Sequence, residues 1–198
     1  MRRLILPLLL ALLAGCSTVP PSPPGEQGWQ QHLARLGALE QWQARGKLAL
    51  RNGEQAETAS LLWRQRGEQS ELQLSGPLGM ASTQVLADGE RLEVRRGDEI
   101  RILDISTPEA VRESTGWDIP VAALPFWLRG IPQPNAATEA LRLDNQRLSH
   151  LQQQGWQVEF FDYRRFDNYD LPTRLNLRRG DTSARLLIRD WRPGAPGE

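Results

Sequence analysis

The amino-acid sequence predicts a mainly β fold with a few helices (α+β): an unclosed antiparallel β-barrel of about ten to eleven strands with three helices lidding its mouth. Three features point there. Apolar and polar side chains alternate over most of the chain, the period of a strand with one buried face. Turn-forming pairs such as Asn52-Gly53, Asp88-Gly89 and Gly97-Asp98 divide the alternating runs. Helical spacing is confined to one segment near the start and one in the middle.

In chain order, Arg2 and Arg3 precede an apolar run from Leu4 to Ala14, broken only by Pro7. A bilayer span needs roughly 20 apolar residues, so residues 1–15 read as an export signal and not as a membrane helix. The run ends in Leu13-Ala14-Gly15-Cys16, which resembles the lipobox of bacterial lipoproteins. Small side chains at Ala14 and Gly15 let a peptidase reach the bond before Cys16. The Cys16 thiol then takes a thioether to diacylglycerol, and its new amine a third acyl chain. At ~0.8 kcal/mol per buried methylene, several chains make a durable anchor. The alternative is an ordinary cleaved signal with a chance cysteine. Cys16 is the single cysteine of the chain, so it has no disulfide to make within it. Residues 16–26 carry Cys16 and a Pro/Ser-rich tether with too little apolar surface for a core. Ser17 after the cysteine, where Asp would signal inner-membrane retention in enterobacteria-like sorting, points to the outer membrane, with the body facing the periplasm.

Residues 27–192 fit one domain, followed by a short tail at 193–198. Trp29, Leu33 and Leu36 fall at helical spacing, which predicts a helix from about Gln27 to Leu39. Period-two alternation begins near Trp42 and runs through Leu48 and Leu50, Leu61 and Trp63, Leu72 and Leu74, Val85, Leu92 and Val94, then Ile100 and Ile102. Thr107-Pro108-Glu109 opens a helix with a capping hydroxyl, Pro in the first turn and an acid beside it, and Gly116 closes it. A more apolar helical piece spans about Pro120 to Leu128 and stops at Gly130. Strands resume at Leu141–Leu143, Leu148–Leu151, Trp156–Tyr163, Arg174–Leu177 and Ala184–Trp191, with turns at Asn145-Gln146 and Gly180-Asp181.

Charge and motif content exclude several classes. The chain carries 24 basic and 24 acidic side chains, and loss of Arg2 and Arg3 leaves 22 against 24. That balance and the lack of a basic tract argue against nucleic acid as a partner. His32 and His150 stand apart, with no metal-ligand spacing around either, and there is no nucleophile elbow or phosphate loop. The reading is a non-enzymatic, monomeric binding protein without cofactor or metal.

Two features need more than a bland domain. Seven tryptophans stand at 29, 42, 63, 117, 127, 156 and 191. Each alone suits an ordinary core; their number in a curved, lidded sheet raises an apolar ligand cavity as the rival reading. The second feature is Leu74-Ser75-Gly76-Pro77-Leu78-Gly79-Met80, a turn between strands with an apolar residue at its tip. The residues alone allow Leu78 to be folded back and buried or to stand exposed.

Taken together these segments resemble the outer-membrane lipoprotein receptor LolB family. The matching pieces are Cys16 in its lipobox, Trp42 to Leu48, Gly76-Pro77-Leu78-Gly79, Gly116 to Val121, Phe126-Trp127-Leu128-Arg129-Gly130, Gly155 to Val158 and Leu171 to Leu175. They cover nearly the whole mature chain in order. The resemblance implies an unclosed barrel with a helical lid. It also implies a receptor that takes lipoprotein acyl chains from the soluble periplasmic carrier LolA and releases the cargo into outer-membrane lipid. It maps the family's exposed delivery leucine onto Leu78, between Pro77 and Gly79. Candidate cavity residues are Trp63, Leu72, Leu74, Trp117, Trp127, Trp156 and Phe160. The rival from another class is an envelope-assembly lipoprotein using its sheet as a protein interface.

Overall fold

The computed structural model describes residues 24–76, 82–115 and 120–194. Cys16, Pro77, Leu78, Gly79 and Trp117, with the tether before Pro24 and the tail after Gly194, lie outside the described residues.

The chain opens with α1 (Pro24–Gly37), followed by β1 (Gln41–Asn52), β2 (Gln55–Arg66), β3 (Gln69–Ser75), β4 (Ser82–Ala87), β5 (Arg91–Arg96) and β6 (Glu99–Asp104). Two helices come next, α2 (Pro108–Thr115) and α3 (Leu124–Arg129). The second half is β7 (Thr138–Asp144), β8 (Arg147–Gln153), β9 (Trp156–Phe166), β10 (Tyr169–Arg179) and β11 (Thr182–Pro193). The mainly β class, the three helices and the eleven strands agree with the sequence reading.

All eleven strands form one antiparallel sheet in the order β6-β5-β4-β3-β2-β1-β11-β10-β9-β8-β7. Every strand pairs with its neighbours in sequence except β6 and β7, and β1 pairs with β11. The two free edges are β6 and β7, which are consecutive strands. The gap between them is the seam of the unclosed barrel, and the connection from β6 to β7 carries α2 and α3. Following the register, β6 runs toward the end of the sheet where β2 turns into β3, whereas β7 starts at the opposite end. The segment carrying α2 and α3 thus crosses the barrel from one end to the other.

Local chemistry explains the elements. All the hairpins but β3–β4 and β4–β5 turn in two residues; at β7–β8 both Asn145 (φ 48°) and Gln146 (φ 63°) take positive φ, as the twist of the strands demands. Thr107 Oγ1 accepts the Ala110 N–H at 3.1 Å and caps α2. Gly130 ends α3 in the left-handed region, where a side chain would also meet the Tyr163 hydroxyl and the Pro172 ring. Gly46 sits at a bulge where β1 shifts register against β11, and a methyl group there would run into the Leu187 carbonyl.

Two details depart from the sequence expectations. The apolar piece from Pro120 is a turn up to Ala123, and only Leu124–Arg129 is helical. Ile100 and Ile102 continue the alternation in sequence but face outward, 58% and 67% exposed. The two-residue turn at Gly97-Asp98 pairs Arg95 with Ile100 and Val94 with Arg101, so it sets the phase of β6 whatever its hydrophobic pattern.

Candidate functional site

The interior divides into a filled half and an open half. On the filled side, Trp42 stacks against Trp63 and Trp191 at ring-centroid distances of 5.6 and 5.2 Å, which packs the barrel where β1, β2 and β11 meet. Trp191 donates its indole N–H to the Pro172 carbonyl (2.9 Å), and Trp63 donates to Gln65 Oε1 (3.0 Å). The helix α3 places Trp127 6.4 Å from Trp156 and donates its N–H to Gln153 Oε1 at 2.8 Å. Gln153, fully buried, also accepts the Gln133 N–H and donates to the carbonyls of Gln133 and Ala136, tying the segment after α3 to the sheet. The Tyr163 hydroxyl donates to the Leu148 carbonyl, and burial drives its pKa far above the usual phenol range.

Arg129 joins the lid to the first helix. Its guanidinium donates to the Leu36 and Leu39 carbonyls (2.8 and 2.6 Å) at the end of α1 and to the Pro125 carbonyl (3.1 Å). It also lies over the Phe126 ring at 5.0 Å. Burial lowers its pKa to about 10, which leaves it charged at neutral pH.

The open side is the concave face of β1 to β5. One cross-strand row runs Trp63, Leu72, Val85, Val94. Trp63 is buried, but Leu72, Val85 and Val94 are only half-buried, as are Leu74, Leu92, Leu48 and Leu50 on the same phase. Apolar side chains on the inside of a curved sheet normally bury against something; here much of that surface is left for a further apolar body. At the opposite free edge, Leu141 (37% exposed) and Leu143 (38%) pair with buried Leu151 and Leu148, so they extend the apolar interior to the seam.

The candidates named from sequence separate accordingly. Leu72 and Leu74 line the open concave face, while Trp63, Trp127, Trp156 and Phe160 lie in the packed interior at its border. Leu48, Leu50, Val85, Leu92 and Val94 belong beside Leu72 and were not singled out; the signal for them was the same alternation carried from one hairpin to the next. Two clefts lie elsewhere, the larger with a mixed lining and the smaller with a polar one. One of about 380 Å³ lies on the outer face along the row Arg64, Glu71, Leu86, Glu93 and Ile102, and one of about 220 Å³ lies beside α1 between His32, Arg35, Arg147 and Asp170. No grouping of three or more His, Cys, Asp or Glu suited to a metal occurs among the described residues. No helix among them is long and apolar enough to cross a membrane.

A half-filled, half-open barrel of this topology has known counterparts. The backbone resembles a LolA superfamily protein from Nitrosomonas europaea (TM-score 0.51, 11% identity, covering 85% of this chain and 94% of that one). It also resembles an outer membrane lipoprotein-sorting protein domain from Vibrio parahaemolyticus (TM-score 0.54, 10% identity, 88% and 95%). At such identities these establish the fold. Sequence relatives go further. The outer-membrane lipoprotein LolB of Stutzerimonas stutzeri is 33% identical over 98% of this chain and 96% of its own length. That of Alkalilimnicola ehrlichii is 38% identical over 96% of each. The family model described as outer membrane lipoprotein LolB matches residues 40–191, from the start of β1 to the end of β11. The chain belongs to the LolB family of outer-membrane lipoproteins.

Proposed function

We propose that this protein receives lipoproteins from a LolA-like periplasmic carrier by taking their acyl chains onto its concave face, and then inserts them into the outer membrane. The observation that carries the reading is the row of half-buried apolar side chains from Leu72 to Val94 inside an open barrel. Acyl chains in water carry a large hydrophobic cost, so cargo must pass directly from one apolar surface to another. A curved apolar face bordered by packed tryptophans suits chains that vary in length, because it demands apolar contact and no fixed hydrogen-bond pattern.

In this reading Cys16 is lipidated and holds the body at the membrane. Residues 27–192 bind cargo, and the Pro77-Leu78-Gly79 loop enters lipid during release. Trp117 contributes to the border of the cavity, and Trp63, Trp127, Trp156 and Phe160 form the packed wall behind it. The sequence holds no nucleotide motif to drive the step, so direction comes from rising affinity along carrier, receptor and bilayer. The protein should bind acyl chains more tightly than the carrier does and less tightly than a membrane does. One transfer assay tests the reading: lipoprotein loaded on a LolA-like carrier is mixed with this protein and then with liposomes. Cargo should move to the protein and then to the vesicles. Cargo that stays on the carrier would exclude the receptor role and favour an envelope-assembly role.

A further inference from the structure

Charges on the outer face are distributed unequally. On the β2–β5 side three of the four outward cations have partners: Arg64 meets Glu71 at 3.1 Å, Arg91 meets Asp88 at 3.3 Å, and Arg95 bonds Glu93, leaving Arg66 at the end of β2. The centre of the sheet differs. Arg45, Lys47 and Arg51 on β1, with Arg185 and Arg189 on β11, all lie on the exposed phase, and none forms an ion pair with a described carboxylate. Their outward neighbours on β2, at Ala56, Thr58, Ser60 and Leu62, are neutral. On β10, Arg174 and Arg178 add two cations already engaged with Asp162 and Glu159 of β9. Asp190, beside Arg45 at the bulge, is held by Arg192 at 3.5 Å. Leu187, 43% exposed, stands within this field between Lys47 and Arg174.

A chain with as many acidic as basic side chains has no overall reason to collect five unmatched cations on one surface. Strand positions hold them in place, so their mutual repulsion is not relieved in the isolated molecule and turns favourable against an anionic partner. β1 and β11 are at the middle of the sheet, whose free edges are β6 and β7, so the array lies opposite the seam.

We propose that, in the pose that receives cargo, the convex face of β1 and β11 docks on an anionic lipid leaflet and holds the anchored body with its open seam turned away from the bilayer. This goes beyond the receptor reading and rests on its lipid anchor. Lipid is favoured over an acidic protein because the cations are spread along ~20 Å of strand on a convex surface, with an apolar side chain among them. That combination of Lys and Arg around an apolar contact is the make-up of interfacial binding surfaces. A short tether from Cys16 also keeps a leaflet within reach. Docked this way, the concave face points into the aqueous space from which a soluble carrier arrives.

The test uses the lipidated full chain carrying Ala49→Cys, a position exposed beside Arg185, labelled with an environment-sensitive dye. Cys16, as a thioether, does not react with the dye. Vesicles are phosphatidylcholine alone, or contain phosphatidylglycerol at about a third of the lipid, each with a quencher at the head groups. Quenching is expected on anionic vesicles and not on neutral ones, and should fade as salt rises from about 0.1 M to 1 M and the screening length drops from ~10 to ~3 Å. Each cation strengthens such docking roughly fivefold, so the triple change Arg45→Gln, Lys47→Gln, Arg185→Gln should weaken it on the order of a hundredfold. The pair Arg45→Lys, Arg185→Lys should keep it. Equal quenching on both vesicle types, or none on either, overturns the proposal, as does equal loss in the Gln and Lys variants. Flotation with neutral vesicles reads the anchor separately. If the chain fails to float with them the anchor reading fails; flotation with anionic vesicles alone then still supports the docking surface, and flotation with neither overturns it.

Discussion

Arg129 is a cation placed where water hardly reaches, and its surroundings explain why it is tolerated. The last carbonyls of α1 have no partners within the helix and carry the negative end of its dipole. Arg129 answers both needs at Leu36 and also binds the Leu39 carbonyl just beyond the helix, contacts 93 and 90 residues away in sequence. Arg129→Met should remove three charge-assisted hydrogen bonds and leave the Leu39 carbonyl without its donor, while the Leu36 carbonyl keeps the Leu39 N–H, lowering stability by about 3 kcal/mol in a denaturant titration. A loss under about 0.5 kcal/mol would mean that water or another donor serves those carbonyls. His32 gives a second residue-scale expectation. Burial holds its pKa below the usual value, with Arg147 and Arg35 acting in the same direction and Asp170 opposing them, and its buried Nε2 has no partner. The unfolded chain therefore binds the proton more readily than the folded one. The His32 contribution is intact above the unfolded pKa of about 6.5 and is lost as pH falls through it toward the lower folded value. Thermal melts should show less stability near pH 5 than near pH 7, and His32→Gln should flatten that dependence; an unchanged slope would place the titration elsewhere. Neither role was legible from sequence, because Arg129 reads as an ordinary charge before a helix-ending glycine and His32 as a lone helical histidine.

Among the elements, hairpins were the most legible and strand phase the least secure. Turn chemistry at Asn52-Gly53, Gly97-Asp98 and Asn145-Gln146 fixes where strands end, and alternation gave the inward face of β1 through β5 because turn and pattern agree there. On β6 they disagree, and the turn prevails, so Ile100 and Ile102 point outward. The helical piece after Pro120 was read too long because apolar residues continue through a turn that has no periodicity of its own. The tryptophans were legible as a group but not by role, since sequence does not distinguish a side chain that fills the barrel from one that borders a space. Two substitutions separate those roles. Leu72→Glu puts a carboxylate on the half-open concave face, where it stays partly solvated. It should sharply reduce binding of acyl chains or bis-ANS with a stability loss of about 1 kcal/mol. Trp127→Ala truncates a side chain that is 1% exposed and hydrogen-bonded to Gln153, and should cost about 3 to 5 kcal/mol. Probe binding should then fall only in proportion to unfolded protein. Melts run beside binding curves decide the matter, and normal binding by folded Leu72→Glu would move the site away from this face.

For the whole molecule, the proposed function requires receiving and delivering cargo to be separable steps, because one body would have to hold acyl chains firmly enough to take them and loosely enough to lose them. The register places Ser75 and Ser82, the last paired residues of β3 and β4, at the same end of the sheet as the β1–β2 and β5–β6 turns. In the proposed mechanism, entry of Leu78 into lipid would contribute only ~1.5 to 3 kcal/mol, enough to orient a body anchored through Cys16 but not to hold it there. Leu78→Glu should leave folding nearly unchanged, at ~0.5 kcal/mol or less, if the side chain is exposed. A carboxylate resists transfer into hydrocarbon and is repelled by anionic head groups, so delivery into liposomes should fall. Acceptance from the carrier should persist, since the concave face is unaltered, and cargo should accumulate on the receptor. Leu78→Ile or Leu78→Phe should retain most delivery, because the step requires apolar volume more than one shape. Unfolding of the Leu78→Glu protein would mean that the leucine is buried. A folded variant that delivers normally would assign release to another part of the same end of the barrel.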